Sequence, residues 1–246
     1  MRPEASLNRL TNDTAQAMRD LSIELHSTAR RYGRRWALAG VTFTVPAGTV
    51  VMLAGRNGAG KSTLLRVLST AIRPDRGTAK VGGFDVVSQR EDVRRITALL
   101  AHQNYLYDAL TPRENLTVVA DHLGISRARV LPLLDRVGLA ARRDDVVATF
   151  SAGMRKRLSL ARLLLQDPRV ALLDEPYGAL DPPGFDLVDG VVRELKENGS
   201  TVVMATHQWE RSASLSDIAI VLEEGVVTWQ GPAAEALARE PRSERK

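Results

Sequence analysis

The residues with the most chemistry in them form one run, Gly55-Arg56-Asn57-Gly58-Ala59-Gly60-Lys61-Ser62-Thr63, which fits the spacing G-x-x-x-x-G-K-[ST]. Glycines at those positions let a backbone wrap a polyphosphate with its N–H groups pointing inward. A helix opening at Lys61 adds the positive end of its dipole. Lys61 can then reach the β- and γ-phosphates, and the Ser62 hydroxyl is placed to ligate Mg²⁺. That chemistry needs a buried strand before the loop and a helix after it. The apolar run Thr49 to Ala54 supplies the first and Lys61 to Leu68 the second. The sequence therefore implies a nucleoside triphosphate site.

Two further runs carry chemistry. Leu172-Leu173-Asp174-Glu175 closes an apolar strand with adjacent carboxylates, and in an α/β sheet the strand C-termini surround the ligand crevice. Asp174 is placed to hold Mg²⁺ through water, and Glu175 to orient the water that attacks the γ-phosphate. Upstream, Phe150-Ser151-Ala152-Gly153-Met154 leads into a helix from Arg155 to Leu165. A Ser and a Gly at a helix start make an anion site from hydroxyl, N–H and dipole, and an ordinary Ser cap uses the same donors.

The elements that must position these groups alternate along the chain. Leu21 to Leu25 and Val41 to Val45 read as strands, the second ending at the turn Pro46-Ala47-Gly48. Turn-rich stretches follow at 73–77 and 80–83. From Ser88 to Gln166 the pattern becomes mainly helical, apart from a strand at Ile96 to Ala101. Thr111-Pro112-Arg113-Glu114 is a helix start with Thr as cap, Pro first and Glu third. Leu116, Val119, Ala120 and Leu123 then mark a buried face. A helix from Ser126 to Val137 is expected to be kinked or shortened by Pro132. Strand and helix alternation resumes with strands at 170–173, 201–205, 218–222 and 226–229, and helices at 185–197 and 233–239. Such alternation predicts an α/β fold with a mostly parallel sheet, into which the helical block is inserted.

The 246-residue chain carries a net charge of +5, 44% hydrophobic and 26% charged residues, and no cysteine. Disulfides, thiolate metal sites and Cys nucleophiles are excluded. The positive charge suits anionic ligands or nearby anionic lipid, with no basic helix or stacking platform that would specify nucleic acid. No apolar run reaches the ~20 residues that cross a bilayer, and Met1 to Asp20 lacks the apolar middle of a signal peptide. Any membrane span is therefore expected on another chain.

Together these motifs, in this order, resemble the ATP-binding subunits of ABC transporters, over about residues 21 to 231. The resemblance implies an α/β fold of the P-loop NTPase ABC type. That fold has a mostly parallel sheet core, an antiparallel β part and an inserted helical subdomain. It divides the chain into a polar extension (1–20), a first part of the ATP-binding core (21–87), the helical insertion with the signature motif (88–166) and a second core part (167–246). The implied cofactors are ATP and Mg²⁺. The loop from Gly55 to Thr63 would bind the phosphates, with Lys61 also catalytic. Tyr32 resembles the aromatic residue that stacks on adenine, and Gln103 the glutamine that senses Mg²⁺ beside Ser62 and Asp174. His207 resembles the switch histidine on the γ-phosphate, and Gly178-Ala179-Leu180-Asp181 the loop that crosses between subunits. Phe150 to Met154 departs from the usual Leu-Ser-Gly-Gly-Gln at three positions but keeps the Ser and the second Gly. Ser151 and Gly153 would contact the γ-phosphate held by a partner subunit, and Ala152 is tolerable there if its φ is negative. His26, His102 and His122 have no such context.

The implied partners are transmembrane permease subunits on separate chains, and a second ATPase, identical or not, at the cytoplasmic face of the membrane. No specific nucleic acid is implied. A soluble ABC ATPase acting on ribosomes or DNA fits less well, since this chain has one cassette and no sustained heptads between Lys61 and Ser151. Ala152 and His102-Gln103 resemble the haem-exporter ATPase of cytochrome c biogenesis. Met154 and the run Ala109 to Leu116 fit drug, lipid or polysaccharide exporters equally well. In ABC transporters the helical insertion receives a short cytoplasmic helix of the permease, so Tyr105, Leu106, Tyr107 and Leu110 are either an apolar dock or core.

Overall fold

The computed structural model describes residues 21–239. The extension 1–20 and the tail from Arg242 to Lys246 lie outside the described residues. Two sheets organise the chain. In the first, β1 (Leu21–Tyr32) and β2 (Arg35–Pro46) form a long antiparallel hairpin that β4 (Arg76–Val81) and β5 (Phe84–Asp85) extend, in the order β2-β1-β4-β5. Along β2, Leu38, Val41, Phe43 and Val45 face the core while their neighbours face out, the period of a half-buried strand. The sequence pattern shows only the apolar ends of this hairpin. Its far end is built of arginines and Trp36, and Tyr32 pairs with Arg35 across the turn. β4 falls within stretches that read as turns, because only Ala79 and Val81 are buried along it.

The second sheet holds β3 (Val50–Ala54), β6 (Thr97–Leu100), β7 (Val170–Asp174), β8 (Thr201–Ala205), β9 (Ile218–Glu223) and β10 (Val226–Pro232), in the order β10-β9-β3-β8-β7-β6. All neighbours run parallel except β10 against β9. Every residue of β3, β7 and β8 is buried, as expected of strands covered on both faces. One edge of this sheet consequently carries the segments that follow β3, β6, β7 and β8.

Helix α1 (Lys61–Leu68) packs with the antiparallel sheet on one side of the core. On the other lie α3 (Pro112–Leu123), α4 (Val130–Arg136), α5 (Ala152–Gln166) and α6 (Pro182–Glu197). The short α2 (Arg90–Ile96) precedes β6. The start of α3 forms the expected reciprocal cap: Thr111 N–H donates to Glu114 Oε2 (2.8 Å) and Glu114 N–H to Thr111 Oγ1 (3.2 Å). Leu123, expected on the buried face, is exposed, and Asn115 is buried instead. Asn115 earns that place by accepting from Tyr107 N–H and donating to the Tyr107 and Thr111 carbonyls. Pro132 falls in the first turn of α4, where a missing N–H costs nothing, and a 3₁₀ turn at Arg127–Arg129 replaces the rest of the expected helix. Two helices complete the described chain, α7 (Trp209–Leu215) and α8 (Ala233–Ala236). The first does not stand out in the sequence, yet Trp209 is fully packed against Met52 and Ala219.

Candidate nucleotide site

The phosphate loop leaves β3 and enters α1 as the spacing requires. Gly60 caps α1 in a left-handed conformation (φ 109°), and a Cβ there would fall 2.4 Å from the Ala37 carbonyl oxygen. Glycine is thus required twice over, by backbone angle and by the close approach of β2. A cavity of 560 Å³ lies on the loop, lined by residues 57–63 together with Tyr32, Arg35, Ala37, His102 and Glu175. Tyr32 is half exposed at its rim, the setting an aromatic needs to stack on a base.

Behind the cavity the polar side chains interlock. Lys61 is buried, and its Nζ donates to the carbonyl oxygens of Gly55 (2.5 Å) and Arg56 (3.3 Å). Ser62 Oγ donates to Asp174 Oδ1 at 2.9 Å, joining the start of α1 to the end of β7. Asp174 pairs in register with Ala205 of β8, and Glu175 N–H donates to the Ala205 carbonyl at 2.8 Å. The last strand bond thus fixes Glu175, whose φ is +49°. His207, two residues beyond β8, brings Nδ1 to 2.8 Å from Glu175 Oε2. No hydrogen bond is aligned on that buried oxygen.

The segment 175–181 is held from both sides. Tyr177 Oη donates to Asp189 Oδ1 (2.9 Å), and Arg211 Nε to Asp189 Oδ2 (2.9 Å), linking it to α6 and α7. Burial, reinforced by the Asp189 carboxylate, pushes the Tyr177 phenol well above its usual range. On the other side lies α5. Ser151 is its N-cap, Oγ accepting from Met154 N–H at 3.2 Å. Ala152 keeps a negative φ, as the departure from the usual motif requires. At Gly153 the need is for space: a Cβ would meet the Ala179 carbonyl oxygen at 2.8 Å.

The residues singled out in the sequence therefore fall into groups. Tyr32, Asn57, Gly58, Ala59, Gly60, Lys61, Ser62, Thr63 and Glu175 surround one cavity, and Asp174 and His207 back onto it. Arg56 lines the cavity next to it, with Arg239 and Glu223. Ser151 and Gly153 line neither, and exposed Gln103 lies outside the lining while its neighbour His102 is part of it. His102 has no distinguishing context in the sequence and is exposed, as a surface residue is, at the cavity wall. Arg35 and Ala37 also line the cavity, and the sequence singled out neither. For Arg35 there was a signal, its pairing with Tyr32 across a tight hairpin.

A phosphate loop after the central strand, with an acid ending the second strand along, defines a P-loop nucleotide-hydrolysing fold. A family model described as ABC transporter matches residues 38–178, and the chain belongs to that family. It is 41% identical over 225 residues to a daunorubicin resistance ATP-binding protein of Streptomyces coeruleorubidus, covering 90% of this chain and 71% of that one. A daunorubicin/doxorubicin resistance ATP-binding protein of Streptomyces peucetius is 37% identical over 218 residues, covering 87% and 66%. A solved structure described as the ATP binding subunit of an ABC transporter superposes with a TM-score of 0.81 at 29% identity, covering 89% of this chain and 92% of that one. The chain is an ABC-type ATPase. Among the described residues no helix is long and apolar enough to cross a membrane.

Proposed function

We propose that this chain is the energy-coupling subunit of an exporter whose cargo is drug-like. The observation that carries this reading is the 41% identity to a daunorubicin resistance protein across nine tenths of the chain. Nothing in those relatives' names favours the haem-exporter alternative, so the drug-exporter class is preferred. The subunit would lie at the cytoplasmic face, bound to permease chains that supply the span.

Lys61 and the loop N–H groups hold the phosphates of ATP, and Tyr32 stacks on the adenine. Ser62 and Asp174, already 2.9 Å apart, fit Mg²⁺: it takes few protein oxygens and keeps waters and substrate phosphates as its other ligands. Ser62 and Asp174 would hold the ion, which when bound would supply positive charge against the phosphates. Gln103, next to the cavity-lining His102, would join that set. Glu175 orients the attacking water, and His207 stands beside it toward the γ-phosphate. Ser151 and Gly153, which do not line the cavity of their own chain, complete the site of a second ATPase subunit.

The test is to express the chain together with a drug-exporter permease subunit in drug-sensitive cells and to follow daunorubicin accumulation. Lowered accumulation that reverts with Lys61→Ala supports the reading. Unchanged accumulation with an assembled complex sinks the drug assignment.

A further inference from the structure

Helix α5 does more than present Ser151 and Gly153 at its N-terminus. Three of its residues, 153, 156 and 157, share one face and bear on the segment that follows β7. Gly153 admits the Ala179 carbonyl, and Arg157 donates to Asp181 Oδ1 at 3.1 Å. Between them, Lys156 Nζ donates to the Glu175 carbonyl oxygen at 3.2 Å. Lys156 is only 5% exposed, a rare position for an ammonium group. Burial draws its pKa down, while the charges of Asp174 and Glu175 push it back up.

The carbonyl it holds belongs to an unusual residue. Glu175 and Ala179 both have left-handed backbones, φ +49° and +65°, a conformation that non-glycine residues keep only where surroundings over-determine it. The Glu175 carbonyl also accepts from Gly178 N–H at 3.1 Å. Lys156 therefore supplies the side-chain half of a two-donor clamp on the peptide that aims the Glu175 carboxylate.

We propose that Lys156 is a positioning residue for hydrolysis, fixing the backbone of Glu175 from the helix that also carries Ser151 and Gly153. The inference rests on the roles given above to Glu175 and to the paired subunits. Through this one side chain, the helix whose tip meets the partner's nucleotide also sets the geometry at its own. A shift of α5 on pairing would thus reach Glu175 directly.

The experiment compares wild type, Lys156→Met and Lys156→Gln as full-length chains, measuring thermal melting, ATP affinity, ATP-dependent pairing and kcat. Met keeps the length and loses the donor; Gln keeps a donor on a shorter stem. With the carboxylate mis-aimed, kcat of Lys156→Met should fall by about 10²-fold, the scale of a small displacement of a reacting group. ATP affinity and pairing should stay near wild type, and Lys156→Gln should recover part of the rate. Lys156→Met turnover within twofold of wild type overturns the proposal. So does an equal loss in both variants accompanied by a lowered melting temperature, which assigns Lys156 to packing alone. A Glu175→Gln control separates the layers: if it turns over normally, the reading of Glu175 has failed and this inference with it.

Discussion

His207 Nδ1 and Glu175 Oε2 lie 2.8 Å apart, on segments that leave the adjacent parallel strands β8 and β7. The Glu175 side chain is 19% exposed and that of His207 56%, so the carboxylate is sheltered while the imidazole meets solvent. Parallel pairing explains the meeting: two strands ending at the same edge deliver their next residues to one place.

Glu175→Gln preserves this shape and leaves Asp174 with Ser62. ATP should still bind, while loss of a general base should cut turnover about 10²–10⁴-fold. The variant is expected to accumulate as an ATP-bound pair on gel filtration. Near-normal turnover would refute the role given to Glu175.

Two cations face the nucleotide cavity in different ways, and their variants should differ accordingly. Lys61 is buried among the loop carbonyls, so Lys61→Ala should abolish ATP binding. Arg35 lies exposed on the rim opposite Gly58, where solvent and salt screen it. Arg35→Ala should weaken ATP binding about tenfold at low salt, the scale of one charged hydrogen bond, and less at high salt. Titration by fluorescent ATP at two ionic strengths checks this. An unchanged affinity at low salt removes Arg35 from the site.

Much of this site was legible because phosphate and metal chemistry impose fixed spacings. Gly55 to Thr63, Asp174-Glu175 and the Thr111 cap each depend on neighbours in sequence, and each lies where its spacing places it. What was not legible depends on distant chain. Arg35 reaches the cavity only because the first hairpin folds over the loop, and His102 only because β6 ends at the same edge as β3. The strand β4 shows a single step of apolar alternation, Ala79 and Val81, because its first half is exposed, and its pairing with β1 leaves no mark in the sequence. Leu123 and Asn115 exchange places against hydrophobicity, because the loop before α3 needs hydrogen bonds more than that position needs a methyl group.

The separation of Ser151 and Gly153 from the cavity of their own chain leads to a kinetic prediction. A half-made site leaves the triphosphate open to water, where charges are screened and catalysis is weak. Specific ATPase activity of the isolated chain should therefore rise with protein concentration until pairing saturates. Activity strictly proportional to concentration from a chain shown to be monomeric would exclude the shared site.

The last prediction concerns the surface of the helical insertion. A groove of 340 Å³ runs beside α3 and α5, lined by Tyr105, Tyr107, Val118, Leu123 and Arg162 among others. The sequence left dock and core open for Tyr105, Leu106, Tyr107 and Leu110, and the structure separates them. Leu106 packs on the main core, whereas Tyr105 and Tyr107 are 60% and 58% exposed. The Tyr107 backbone is pinned from both sides by Asn115, so its side chain can change without disturbing the fold. Exposed aromatics around a groove are the usual mark of a protein contact. Tyr107→Glu should therefore melt within a degree or two of wild type, as surface substitutions do, and bind ATP normally. It should fail to co-purify with the permease, because a carboxylate in place of the aromatic ring would have to be desolvated in the joint. Co-purification at the wild-type level would move the permease contact elsewhere, and a collapsed melt would return Tyr107 to the core.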